Sequence, residues 1–170
     1  MASQPAVTTT VLVEGVSDEI AIRTLAARLG MPSPHVIAVG GSKGARRVAE
    51  EHPDERLIGL VDASERRDFE RVLDTVFVCD PDLEAEFIRA LGRDGIEAVI
   101  AEQGELESFL LLQRQPFQRT QPFARQASRF FGGRSGNKAR YAHLLAEAVP
   151  LDRVPPPLTE LLATLRDSER

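Results

Sequence analysis

The sequence predicts an α/β fold in which a mostly parallel sheet of about four strands is flanked by helices and followed by a helical C-terminal part. Three observations carry this expectation. Four short apolar runs, each ending abruptly, alternate with segments of helical spacing, the pattern of strands buried on both faces of a parallel sheet. Beyond Gly92 the spacing of apolar residues is helical. Hydrophobic residues make up 42% and charged residues 28% of 170 residues, which is ordinary globular usage and enough chain for one domain.

Taken in order, residues 8–13 (TTTVLV) are β-branched and apolar and read as the first strand. Ser17 then reads as the N-cap of a helix, with Asp18 and Glu19 in its first turn, where the helix dipole favours anions. Ile22, Leu25, Ala26 and Leu29 follow at i, i+3, i+4 and i+7, and Gly30 supplies a stop. Residues 35–39 form a second strand, Gly40-Gly41 a turn, and residues 45–51 a helix. The stretch 40–44 (GGSKG) lacks P-loop spacing and reads as a turn. Residues 57–61 form a third strand ending at Asp62, 66–73 a short helix, and 76–79 a fourth strand. Residues 82–91 form a helix with Leu83, Phe87, Ala90 and Leu91 on one face, stopped by Gly92.

Further helices are expected at 96–103, 105–112, 123–131, 138–149 and 158–165. Pro155-Pro156-Pro157 sets the last one apart. Its stripe of Leu158, Leu161, Leu162 and Leu165 must find a partner, either its own domain or a second copy. The expected division is an α/β core at 1–92 and a helical part at 93–170 packed upon it, making a single structural domain.

Several classes are set aside. No apolar run approaches the ~20 residues of a membrane span, and the start MASQPAVTTT lacks the basic flank and apolar core of a signal peptide. A lone cysteine, Cys79, can neither close an internal disulfide nor build a cysteine zinc site, and it reads as a small core residue. The expectation is a cytoplasmic protein without a membrane partner. His35, His52 and His143 are scattered without ligand or triad spacing, and Tyr141 reads as a packing residue within a helix.

Ligands of an open parallel sheet gather beyond the carboxyl ends of its strands. Carboxylates recur there: Glu14 after the first strand, Asp62 after the third, and Asp80, Asp82, Glu84 and Glu86 after the fourth, with Asp18 four residues beyond Glu14. Converging carboxylates repel unless a cation sits among them, and hard oxygen donors suit Mg²⁺ or Mn²⁺ over Zn²⁺. The alternative makes each acid a helix cap. That fits Asp18 and Asp82, and fits poorly Glu14 and Asp62, which directly follow apolar strands.

Charge is also unevenly placed. The formal net charge is −5, yet residues 113–140 hold seven cations (Arg114, Arg119, Arg125, Arg129, Arg134, Lys138 and Arg140) and no Asp or Glu, leaving −12 for the remainder. Phe117, Phe123, Phe130 and Phe131 are interleaved with them. Cations with aromatic rings suit a phosphate backbone and partly unstacked bases. The alternative is a solvated basic face with its phenylalanines in the core.

The stretch 11–30 (VLVEGVSDEIAIRTLAARLG) resembles the opening of Toprim domains, most closely the branch found in OLD-family (overcoming lysogenization defect) nucleases, where EGxSDE opens the domain. VIAVGG at 36–41, LIGLVDA at 57–63, FVCDPDLEAEFIRALG at 77–92 and GRSGNKARYAHLLAEA at 133–148 extend the resemblance over nearly the whole chain. It implies the Toprim (Rossmann-like) fold and a metal-dependent endonuclease, a hydrolase of phosphodiester bonds using Mg²⁺ or Mn²⁺.

By position, Glu14 and Asp18 match the first acidic motif, Asp62 the leading Asp of DxD, and Asp82, Glu84 and Glu86 the further acids of the OLD branch. Lys138 matches a lysine used near the scissile phosphate, which with Glu14 would carry catalysis. Lys43, Arg114, Arg119, Arg125, Arg129, Arg134 and Arg140 would hold the nucleic acid, DNA in preference to RNA. The second Asp of DxD is Ser64 here, which leaves room for a catalytically weak, regulatory protein. Members with ATPase activity carry a P-loop domain, and no GxxxxGK[ST] occurs in these residues. The resemblance therefore implies a Toprim unit by itself, with any ATPase a separate partner. A nuclease maturing structured RNA is a further alternative.

Overall fold

Four β-branched, apolar strands build one sheet, because each must bury both faces and can do so only between two layers of helix. The computed structural model describes residues 8–168; residues 1–7, on which the signal-peptide reading partly rests, lie outside them. The strands β1 (Thr9–Val13), β2 (His35–Ala38), β3 (Arg56–Asp62) and β4 (Thr75–Cys79) are all parallel, in the order β2-β1-β3-β4. The chain winds outward from β1 to β2, then returns past β1 to β3. The winding order therefore reverses between β1 and β3, and the crevice at their carboxyl ends is the place where such sheets bind ligands.

Helices α1 (Val16–Arg28), α2 (Ser42–Glu51) and α3 (Arg66–Glu70) connect the strands. They are followed by α4 (Leu83–Glu102), α5 (Leu106–Arg114), α6 (Phe123–Phe131), α7 (Asn137–Ala148) and α8 (Pro156–Ser168), with 3₁₀ turns at Gln118–Thr120 and Leu151–Arg153. Alternation along the strands divides the core. Val11, Val13, Ile58 and Leu60 pack with α1, α4, α7 and α8, whereas Leu12 and Val61 face Ala45 and Val48 of α2 and Phe69 of α3. Gly59 lies on the second face, where a Cβ would stand 3.0 Å from a Leu73 methyl, so the short helix α3 can approach the sheet closely. No described helix is long and apolar enough to cross a membrane.

Local departures from the sequence reading have simple causes. Helix α1 begins at Val16 with Gly15 as N-cap, and Asp18, not Ser17, supplies the capping carboxylate, accepting the Gly15 N–H at 3.0 Å. Helix α2 begins at Ser42, so 42–44 is helix and only Gly40-Gly41 is turn. At Gly44 a Cβ would sit 2.0 Å from the Val39 carbonyl, which restricts that position to glycine. The helices expected at 82–91 and 96–103 are both present and abut within α4, broken at the expected stop, Gly92, whose φ of 69° and ψ of 174° are non-helical. Both halves bury side chains in the same cluster, Phe87 and Ile88 before the kink and Ile96 and Ile100 after it.

The leucine stripe of α8 is buried in that cluster, so it packs on its own domain. Each of these side chains contributes about 1.5–3 kcal/mol of burial. Arg28 donates to the carbonyls of Ala146 (2.6 Å) and Val149 (2.7 Å), fastening the end of α7 to α1. Tyr141 is buried and stacks on Phe131, and Cys79 is buried at the end of β4.

Candidate metal centre

Because parallel strands end together, the residues that follow them meet. Val13 of β1 is level with Leu60 of β3, so Glu14 and Asp62 leave adjacent strands at the point where the winding order reverses. Capping of Gly15 by Asp18 turns the first helical residues back over the strand ends. Together with Glu84 in the first turn of α4 and Lys138 in the first turn of α7, they line a cleft of about 210 Å³, whose wall also includes Ser17 and Gly40. Lys138 Nζ lies 3.2 Å from Glu84 Oε1.

The electrostatics are those of crowded anions short of positive charge. Burial, then repulsion from Asp18, Asp82, Glu14 and Glu84, raises the Asp62 pKa to about 7. Asp18 is raised to about 6, chiefly by burial, with Glu84 and Glu14 adding to it while the Gly15 N–H and Lys138 pull it down. Partial burial opposes the charge on Lys138, but Glu84, Asp18 and Asp62 outweigh it and raise its pKa. Among the described residues no three His, Cys, Asp or Glu side chains are arranged as a ready metal cage. Lys138 stands among the acids in that role. The donor set nevertheless fits Mg²⁺ or Mn²⁺: it consists of carboxylate oxygens, and burial together with mutual repulsion raises the pKa of two of the groups, Asp18 and Asp62, toward neutrality.

This strain has a pH signature. The folded pKa of Asp62 exceeds its unfolded value of about 3.9, so between about pH 4 and 7 the folded state binds more protons and stability falls as pH rises. Above pH 7 the penalty is complete. Asp62→Asn, measured without divalent metal, is therefore expected to raise the melting temperature at pH 8 by about 2–4 °C, equivalent to about 1 kcal/mol, and to leave it nearly unchanged at pH 4. Equal melting temperatures at pH 8 would remove the strain from Asp62.

The chain superposes on the C-terminal region of the OLD protein of Xanthomonas campestris pv. campestris with a TM-score of 0.70 at 24% identity, over 95% of this chain and 93% of that one. Against the C-terminal region of the Burkholderia pseudomallei OLD protein the TM-score is 0.69 at 20% identity, over 96% and 99%. This chain has the Toprim fold of an OLD C-terminal region. No family model and no curated protein sequence matches it.

Two of the six acids matched by position to the family's motifs stand outside the Toprim cleft. Asp82 caps α4, accepting the Ala85 N–H at 2.8 Å, although it is near enough to raise the Asp62 pKa. Glu86 is buried and committed elsewhere, accepting from the Asp80 N–H at 3.0 Å and from Arg89 at 2.9 Å. Ser64 is exposed in the turn after β3. Lys43 is exposed in the first turn of α2, outside the cleft, whose wall on that side is Gly40.

The cations of 113–140 divide. Arg140 is taken up by Glu105 and Asn137. Arg114, Arg119, Arg125, Arg129 and Arg134 are exposed and form no ion pair among the described residues. Phe123, Phe130 and Phe131 pack inward with Phe109 and Tyr141. Only Phe117 of the four faces solvent, 71% exposed.

Proposed function

We propose that this chain is a divalent-metal-dependent nuclease that cleaves or nicks phosphodiester bonds of DNA, or of RNA, at the cleft between β1, β3, α4 and α7. The observation that carries this reading is the convergence of Glu14, Asp18, Asp62 and Glu84 around one lysine at the reversal point of a parallel sheet. These four carboxylates would hold Mg²⁺ or Mn²⁺. Such a cation polarises a phosphoryl oxygen and acidifies water.

The protein's own groups do the rest. Asp18 and Asp62, relieved of their protons, fix the acidic floor, and the Gly15 N–H keeps Asp18 in place. Glu14 is exposed at the mouth, where it can accept a proton from the attacking water. Lys138 brings a charge that stabilises the phosphoryl group as its negative charge grows. The unpaired arginines hold the backbone on either side.

The test is digestion of labelled single- and double-stranded DNA and RNA with Mg²⁺, Mn²⁺ or Ca²⁺, with and without EDTA. Cleavage that EDTA abolishes supports the reading, and no cleavage of any substrate sinks it. Ser64 at the position of the second Asp of the acidic pair supports a second reading, a catalytically weak, nucleic-acid-binding regulator that works with a separate ATPase. That reading expects binding without turnover in the same experiment.

The arginines provide an independent check. Arg125 and Arg129 lie one helical turn apart on the exposed side of α6. Replacing both with alanine is expected to weaken binding to all duplex sequences alike and to reduce the slope of log affinity against log salt by about 2. An unchanged slope would make this face merely solvated.

A further inference from the structure

Beside the acidic cleft, across the first turn of α4, lies a second depression of about 570 Å³. Its floor is Pro81, Asp82 and Ala85, and its far wall is Phe117 together with Arg125 and Arg129. The two hollows share one turn of helix, Glu84 lining the first and Asp82 and Ala85 the second.

Phe117 is held outward by a tied loop. Its carbonyl accepts from Thr120 Oγ1 at 2.9 Å, Arg119 Nε donates to the Arg114 carbonyl at 2.8 Å, and Gln126 donates to the Gln118 carbonyl at 2.7 Å inside the protein. An aromatic ring 71% exposed on a fixed loop, next to two unpaired guanidiniums, is costly to hydrate and well placed to be covered. Its neighbours state the chemistry of the cover: a flat apolar face joined to negative charge, which is an unpaired nucleobase with its phosphates.

We propose that this groove takes an unpaired base of the substrate, stacked on Phe117 with its phosphates on Arg125 and Arg129, so that the strand is single or opened beside the bond that is cut. The proposal rests on the nuclease reading for its geometry and narrows the substrate from nucleic acid in general to a strand with exposed bases. In a closed duplex the bases are stacked on one another and cannot reach the ring.

The test is a binding measurement in Ca²⁺, so that it does not depend on turnover. Phe117→Ala is expected to weaken binding of a short oligothymidine or oligouridine strand by about 5- to 100-fold, the range for loss of one base–aromatic stack, while changing affinity for a blunt duplex less than about 2-fold. Its salt slope stays at the wild-type value, since no charge is removed. The chain contains no tryptophan, so Phe117→Trp adds a single indole reporter whose emission is expected to be quenched by the single strand and not by the duplex. Equal loss on both substrates, or unquenched indole emission with a strand that the wild-type protein cleaves, overturns the base site and leaves the nuclease reading standing. If no nucleic acid binds the wild-type chain at all, both fall.

Discussion

Glu14→Ala is expected to lower metal-dependent cleavage by about 10²- to 10⁴-fold, the contribution of a positioned general base, while the melting temperature stays at or slightly above that of the wild type. Glu14 follows β1 directly, lines the cleft and is exposed, and no side-chain hydrogen bond or ion pair among the described residues engages its carboxylate. It is therefore free to bind a cation or accept a proton. Truncating an exposed side chain leaves no cavity and changes stability by about 0.5 kcal/mol or less. Here the sign favours stability, because one of the anions that burden Asp18 and Asp62 is gone. Single-turnover cleavage and a melting curve on the same preparation check both halves. A folded variant that cuts at the wild-type rate removes Glu14 from the reaction.

The strands were legible because burial on both faces leaves few polar residues in them. Thr10, Val11, Leu12 and Val13 are all buried, and such a run admits little else in a chain of this length. The helix boundaries were less legible. Gly92 marks a real break in φ, but whether the chain turns away or continues depends on packing beyond it, and Ile96 and Ile100 return to the cluster that holds Phe87. At α1, the better cap by propensity, Ser17, lost to a glycine whose N–H is met by Asp18 three residues on.

The site was legible to the extent that strand ends determine it. Glu14, Asp18, Asp62 and Glu84 meet because β1, β3 and β4 are parallel and in register. Glu86 was misplaced by counting acids instead of faces. It lies three residues after Leu83 and next to Phe87, on the inward side of α4, where it is buried and paired with the exposed Arg89. For the phenylalanines the sequence left two readings open, and for three of the four the core reading holds. Phe123, Ala127, Phe130 and Phe131 stand at i, i+4, i+7 and i+8, an inward stripe, and Arg125 and Arg129 occupy the opposite side of α6. Phe117 lies before that helix begins, so no periodicity governs it, and its exposure follows from the loop's hydrogen bonds.

Lys138→Ala is expected to slow cleavage by about 10²- to 10³-fold, as removal of a group that stabilises transition-state charge does, while leaving nucleic-acid affinity in Ca²⁺ close to that of the wild type. The competing role is visible in the same contact. At 3.2 Å from Glu84, Lys138 neutralises acids that would otherwise repel one another, and a purely structural counter-ion would behave differently on removal. Both roles predict that the variant binds metal as tightly as the wild type or more tightly, since a competing cation has left the carboxylates. They diverge in the rate. A counter-ion displaced by metal has no further part to play, so its loss leaves cleavage at saturating Mg²⁺ unchanged or faster. A lysine that meets the phosphate as charge develops is missed most at saturation, where kcat falls and the binding constant does not. Metal titration followed by cleavage at saturating metal therefore separates the two, and an undiminished kcat would assign Lys138 to holding the acids together until the cation arrives.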